Sequence, residues 1–317
     1  MRNVICYVLR SVRTVRAWTV LYNNLSSYLK SKYGKRLSKI CIDGGFTCPN
    51  RDGIAGVGGC IYCTGRGSGD HIPEGLDVRA QVEAALRGRG ENEEFIAYFQ
   101  SFTNTYAPCD QLARIYGSAL IDRRIRVLAI GTRPDCISEE VADLIASFLD
   151  RVDVWVELGL QTASDKSADL INRCYKTEVY ARACEILHRY GIPFVTHIMI
   201  GLPGEGETEL CDTVALVNST RPFGVKIHSV YVPRGTQLAE MYGRGEYVPI
   251  DREAYVRRAA YAISHLHPDT VLHRITGDCP RELLVAPEWN ADKNGTIAAI
   301  NAYLSEHGMR QGSEWQP

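Results

Sequence analysis

The sequence runs to 317 residues, of which 45% are hydrophobic and 23% charged, with a formal net charge of −1. Those values exclude a disordered or collagen-like chain, and no apolar run is long enough to span a bilayer. Eleven cysteines are too few at this length for a disulfide scaffold, and thiols kept reduced point to the cytoplasm.

The charge is unevenly spread. Arg2, Arg10, Arg13, Arg16, Lys30, Lys32, Lys35, Arg36 and Lys39 all precede the first acidic residue, Asp43. A basic, acid-free leader suits an anionic partner, nucleic acid first, or forms a cationic solvated helix face. Residues 1–17 lack the apolar stretch and cleavage site of a signal peptide. They read as an anchor, an arm or translation from an upstream start.

Short β-branched runs then alternate with helical stretches. Strands are expected at Leu37–Asp43, Phe95–Phe102, Val127–Gly131, Val154–Gly159, Phe194–Ile200 and Val225–Val230. Helices are expected at Val78–Arg87, Cys109–Asp122, Glu139–Phe148, Thr177–Tyr190 and Glu207–Ser219. Such alternation predicts βαβ units around a parallel sheet, either doubly wound or curled into a partial barrel. From Asp251 a long helix, a strand near Val271–Ile275 and a helix from Asp292 to His307 form a tail packed on the main domain.

The chemistry concentrates between the first strand and the first of these helices. Cys48, Cys60 and Cys63 fall within sixteen residues, interleaved with Gly53, Gly56, Gly58 and Gly59. Loops at the C-terminal ends of parallel strands carry ligand sites, and glycine lets backbone approach a bulky group. Three thiolates suit a [4Fe–4S] cluster with one iron left open. With Cys41 or His71 added, they would suit a structural zinc. The scattered cysteines Cys6, Cys109, Cys136, Cys174, Cys184, Cys211 and Cys279 read as small buried hydrophobes.

These residues resemble a known family. Ile42-Asp-Gly-Gly-Phe-Thr-Cys-Pro-Asn-Arg-Asp-Gly53 and Gly58-Gly-Cys-Ile-Tyr-Cys63 are similar to the radical S-adenosylmethionine (SAM) superfamily. More closely, they resemble the bacterial Elongator-catalytic-subunit-like radical SAM proteins. The likeness continues through Ala97–Pro108, Gly131-Thr-Arg-Pro-Asp135, Glu157–Thr162, His197–Glu205 and Pro280–Trp289. Eleven residues separate the first two cysteines, where most of the superfamily has three; the longer spacing matches the narrower group.

The resemblance implies a partial (β/α)6 TIM-type barrel at 36–250, a basic extension and helix at 1–35, and a C-terminal extension at 251–317. It implies an enzyme whose cluster, on Cys48, Cys60 and Cys63, cleaves SAM and whose product radical takes hydrogen from the substrate. The expected substrate is a tRNA wobble-uridine side chain, with a small molecule or peptide as the alternative. A cluster- or zinc-bearing RNA-binding protein is the non-enzymatic alternative. The expected electron donor is a flavodoxin or ferredoxin.

For SAM the resemblance indicates Tyr62, Gln100, Ser101, Thr103, Arg133, Glu157, Gln161, His197 and Gly201. Each also has a structural reading. The Gln100 segment is a buried strand end, Arg133 begins a turn with Asp135, and Glu157 is a scaffold carboxylate paired with Arg133. Glu205 either belongs with the Gly201 motif or is a helix N-terminal acid. Lys226, His228 and Arg274 are the substrate candidates. The stretch 280–289 either closes the barrel or anchors through a buried Trp289.

Overall fold

The computed structural model describes residues 21–316. Nine strands form, β1 (Leu37–Ile42), β2 (Glu94–Phe99), β3 (Ile125–Thr132), β4 (Asp153–Gln161), β5 (Phe194–Ile200), β6 (Gly224–Ser229), β7 (Val232–Pro233), β8 (Val271–Arg274) and β9 (Leu284–Ala286). The helices are α1 (Leu25–Tyr33), α2 (Val78–Leu86), α3 (Cys109–Ala119), α4 (Glu139–Ala146), α5 (Asp165–Leu170), α6 (Thr177–Arg189), α7 (Glu207–Thr220), α8 (Gln237–Gly243), α9 (Arg252–His265) and α10 (Lys293–Glu306).

The main sheet runs β1-β2-β3-β4-β5-β6-β8, every pair parallel. A doubly wound sheet reverses strand order at a switch point; this order never reverses. All crossover helices therefore cover one face, and the sheet curls into a half-barrel with its other face inward. Six strands were expected in the barrel, and the tail supplies a seventh. The β8 strand pairs with β6, so the tail extends the sheet as well as packing on it. The β7–β9 ribbon is a separate antiparallel pair.

Alternation divides each strand between two environments. Outward residues such as Ile40, Phe99, Leu128, Val156, Ile198 and Ile227 join the large core under the helices. Inward residues near the strand starts, Leu37, Ile96, Val127, Trp155 and Val195, form a second core capped by Leu25, Tyr28 and Leu29 of α1. Burying about six such side chains, at roughly 1.5–3 kcal/mol each, makes α1 an apolar plug in that end of the barrel.

Most helices begin on a residue that caps them. Asp77, Ser138 and Asp251 each accept a backbone N–H at the start of α2, α4 and α9. Gly191 follows α6 in the left-handed region at φ 66°, as expected of a glycine just past a helix end. The expected strand to Phe102 stops at Phe99, because Phe102 turns to φ 57° and the backbone leaves the ladder. Among the described residues, no helix is long and apolar enough to cross a membrane.

Candidate functional site

The segment after β1 crosses the C-terminal end of the sheet carrying Cys48, Cys60 and Cys63, all half-buried and free. Its backbone is tied at many points. Arg51 N–H donates to the Cys48 carbonyl (2.8 Å), Gly59 N–H to Asn50 (2.8 Å) and Cys63 N–H to Cys60 (2.9 Å). Ile61 is fastened on both sides: its N–H donates to Ile171 at the end of α5, and its carbonyl accepts from Leu238 in α8. Gly56 is needed for contact, since a Cβ there would meet Asn50 Oδ1 at 2.4 Å and Cys174 Sγ at 2.6 Å.

Asn172 latches the loop. Its Nδ2 donates to the Val57 (3.0 Å) and Gly59 (2.8 Å) carbonyls, and its own carbonyl accepts from Asn50 Nδ2 (2.5 Å). No motif in the sequence marks this residue, because its partners lie more than 110 positions away. We expect Asn172→Ala to bind iron and then lose it faster than wild type under chelator challenge; equal loss would remove the latch role.

Behind the latch, two guanidinium groups approach the Tyr175 ring, Arg133 at 4.9 Å and Arg173 at 4.4 Å from its centroid. Arg133 also makes a bidentate pair with Asp135 (2.9 and 2.6 Å) and donates to the Arg173 carbonyl (3.0 Å). The Cys60 thiol is pulled down, chiefly by a hydrogen bond from Cys63 and then by Arg133, Tyr62 and Asn50, against the cost of burial, while Cys63 is pushed up. Of this pair Cys60 is the one that gives up its proton more readily, as a metal ligand must.

Beneath the loop, the interior of the barrel is polar. Glu157 is 1% exposed. It accepts hydrogen bonds from Lys226 Nζ, His197 Nε2 (2.9 Å) and Trp155 Nε1 (3.3 Å). Lys226 also donates to Tyr98 Oη (3.3 Å), and its ammonium lies 4.4 Å from that ring's centroid. Glu157 is held well below the usual carboxylate range: Lys226 and His197 outweigh the opposing effect of burial. Burial, Lys39 and Arg274 bring Lys226 down to about 7. Burial also takes His197 to about 4, so its imidazole is neutral near pH 7 and donates from Nε2.

The Radical SAM superfamily model matches residues 48–217, and the Radical_SAM C-terminal domain model matches 222–306. The chain belongs to the radical SAM superfamily. The Bacillus subtilis (strain 168) protein YtqA is 35% identical over 299 residues, 93% of each chain. The tRNA uridine(34) acetyltransferase of Methanocaldococcus jannaschii is 28% identical over 193 residues, 60% of this chain and 34% of that protein. The fold is shared with the Elp3 of Methanocaldococcus infernus, at a TM-score of 0.64 and 20% identity over 87% of this chain and 64% of that one. It is therefore a radical SAM enzyme, and its cofactors are a [4Fe–4S] cluster and SAM.

The residues present suit those cofactors. Three thiols share one loop at the barrel mouth, one of them already thiolate-prone. The fourth ligands a zinc site would need are elsewhere. Cys41 packs in the barrel interior among Tyr98, Trp155 and their neighbours, and exposed His71 lies near Asp278. The scattered cysteines are less buried than expected. Among the described ones outside the loop only Cys184 is fully buried, and Cys174 lies against the loop at Gly56. Cys6 lies outside the described residues.

The other candidates divide between mouth and interior. Tyr62 packs with Ile61, Leu202 and Val230. Gln100 Nε2 donates to the Ser68 carbonyl (2.5 Å), tying β2 to the segment after Cys63. Ser101 and Thr103 are buried, with hydroxyls that have no protein partner. Gln161, at φ 63°, lies by Tyr175 Oη (3.2 Å). Gly201 faces Ile250, whose Cγ2 would sit 2.8 Å from an added Cβ. Glu157 pairs with Lys226 instead of Arg133, which Asp135 already holds. Lys226 and His228 face the interior, and Arg274 lies 3.5 Å from Asp278. Trp289 donates to the Ile250 carbonyl (3.1 Å) and packs on Tyr255. A cleft of about 450 Å³ lined by His188, Arg221 and Phe223 opens at the opposite, N-terminal end of β5 and β6.

Proposed function

We propose that Cys48, Cys60 and Cys63 hold the cluster and that the enzyme abstracts hydrogen from a uridine side chain in tRNA. The observation that carries the ligand assignment is the tied, three-thiol loop over the C-terminal mouth of the half-barrel. When bound, the cluster and SAM supply methionine and a 5′-deoxyadenosyl radical on reduction by a flavodoxin- or ferredoxin-type donor. The chain's own contribution is positional. Asn172 and Asn50 fix the loop, Arg133 and Gln161 line the mouth, and Glu157 orients Lys226 and His197 beneath it. Reduced thiols and such a donor support a cytoplasmic enzyme.

The RNA part rests on the 60% of the chain shared with a tRNA uridine(34) acetyltransferase. The basic segment lends it less support than expected. Lys30 and Lys32 lie on α1, at the opposite end of the barrel from the cysteines, and Lys35 and Arg36 follow it directly. Lys32 is paired with Asp153 (2.7 Å), and Lys35 donates to the Asn92 carbonyl (3.1 Å). Residues 1–20 lie outside the described structure. That placement favours a second reading, a small-molecule or peptide substrate entering the mouth without help from the leader.

Three measurements test this. Anaerobically reconstituted protein should carry about four irons and four sulfides per chain; stoichiometric zinc without iron would refute the ligand set. Wild-type and deletion-strain tRNA should differ in one modified uridine, and purified enzyme should bind tRNA with an affinity that falls steeply with salt. Identical nucleoside profiles and no salt-dependent binding would put the small-molecule reading ahead.

A further inference from the structure

We infer that the interior of the half-barrel seats an anionic group of the substrate, a carboxylate or a phosphate, between Lys39, Lys226 and Arg274. The inference rests on reading this interior as the substrate chamber and goes further by naming what the chamber takes.

The first argument is charge balance. Glu157 is committed, with one oxygen shared by Lys226 and His197 and the other accepting from Trp155. Asp278 is committed too, to Lys293 (2.6 Å) and Arg274 (3.5 Å). Lys39 has no salt bridge or side-chain hydrogen bond among the described residues. Its ammonium lies 5.3 Å from the centroid of the same Tyr98 ring that Lys226 approaches to 4.4 Å. Two ammonium groups thus approach one phenol ring, with a single carboxylate already bonded to one of them. Lys39 stays exposed to the open interior of the half-barrel, while the barrel wall around it and the charges of Arg274 and Lys293 lower its pKa against the pull of Glu157. An anion entering here can reach Lys39 and would relieve that repulsion beside the buried Lys226.

The second argument is an unused polar atom. His228 Nε2 is buried and has no partner. Its ring lies 5.1 Å from that of His197, on the interior face. Burial and the surrounding positive charge hold this imidazole well below its usual pKa, so it is neutral. Buried polar atoms normally find a partner. An oxygen of the bound anion would serve if Nε2 carries the proton.

The third argument is depth. Lys39 is three residues before the end of β1, and Lys226 is three before the end of β6. At about 3.3 Å per residue they lie roughly 10 Å below the strand ends, where the cysteine loop crosses. Arg133 and Gln161, at the strand ends of β3 and β4, lie above them.

The test uses reconstituted holoenzyme saturated with SAM, titrated calorimetrically with inorganic phosphate and, separately, with malonate. We expect at least one of them to bind at one site per chain. Lys39→Met and Arg274→Met should each weaken that binding at least tenfold. Lys39→Arg should retain it and so report on charge as opposed to fold, while surface Lys30→Met serves as a control. The stronger probe shows whether the chamber prefers phosphate or carboxylate. Failure of both anions to bind, binding unchanged in Lys39→Met, binding lost equally in Lys39→Arg, or competition between SAM and the anion would each overturn the inference. Repeating the titration without SAM on Cys60→Ala separates the two readings. Anion binding that survives there supports the chamber whatever the fate of the cluster assignment, which iron analysis reports independently.

Discussion

Cys48→Ala, Cys60→Ala and Cys63→Ala should each abolish reductive formation of 5′-deoxyadenosine. A site-differentiated cluster needs all three thiolates, because the iron left open has to remain the one that meets SAM. Cys174 is the nearest other thiol, and it lies against Gly56 instead of within the loop. The measurement is 5′-deoxyadenosine yield per iron after anaerobic reconstitution. Cys109→Ala is the proper control, since Cys109 starts α3 and packs against the outer core. Cys174 is a poor control, because its sulfur lies against Gly56 of the loop and its backbone is at φ 60°. Wild-type yield from Cys60→Ala would refute the ligand set.

Glu157→Gln should destabilise the fold by about 3–5 kcal/mol near pH 6, the usual cost of removing one partner from a buried ion pair. Lys226 is 2% exposed and would lose the carboxylate that supports its charge, so near pH 6 it either gives up its proton or stays charged beside an amide, with Lys39 and Arg274 still repelling it. The loss should shrink by pH 9. The Lys226 pKa is about 7 in the folded enzyme and 10.5 as its ordinary value. Between those values the unfolded chain holds more protons, so this group's contribution to stability rises with pH. At pH 9 the folded lysine is neutral and sits beside a neutral amide with little penalty. Glu157 has the opposite dependence. Its depressed pKa adds stability that is present above its ordinary value of 4.5 and lost as pH falls toward the folded one. Denaturant unfolding of both proteins at pH 6 and pH 9 checks this. An equal deficit at the two pH values would show that packing, and not charge, dominates the site.

Much of this enzyme was legible in one dimension, because the signals are local. The strands from Leu37 to Ser229 announce themselves as β-branched runs between helical stretches, and Cys48, Cys60 and Cys63 are neighbours along the chain. Short-range chemistry of that kind is written in residue order, so the cluster loop and the βαβ alternation needed no structure. Long-range partnerships carry no such mark. Curling of the sheet, as opposed to double winding, depends on which face each crossover covers. The recruitment of β8 to the sheet depends on Val271 meeting Gly224 across 47 positions of sequence. Asn172 is an ordinary polar residue until the fold sets it under Val57 and Gly59. Glu157 was readable as a site carboxylate, but its partner was not. Lys226 is 69 residues away and reaches it only because β4, β5 and β6 lie side by side with their alternate residues turned inward. The α1 helix shows the same division. Its basic character is plain in the sequence, but only packing places it as the plug at the far end of the barrel, since Leu25 and Leu29 are held there by burial against Leu37, Val127 and Trp155.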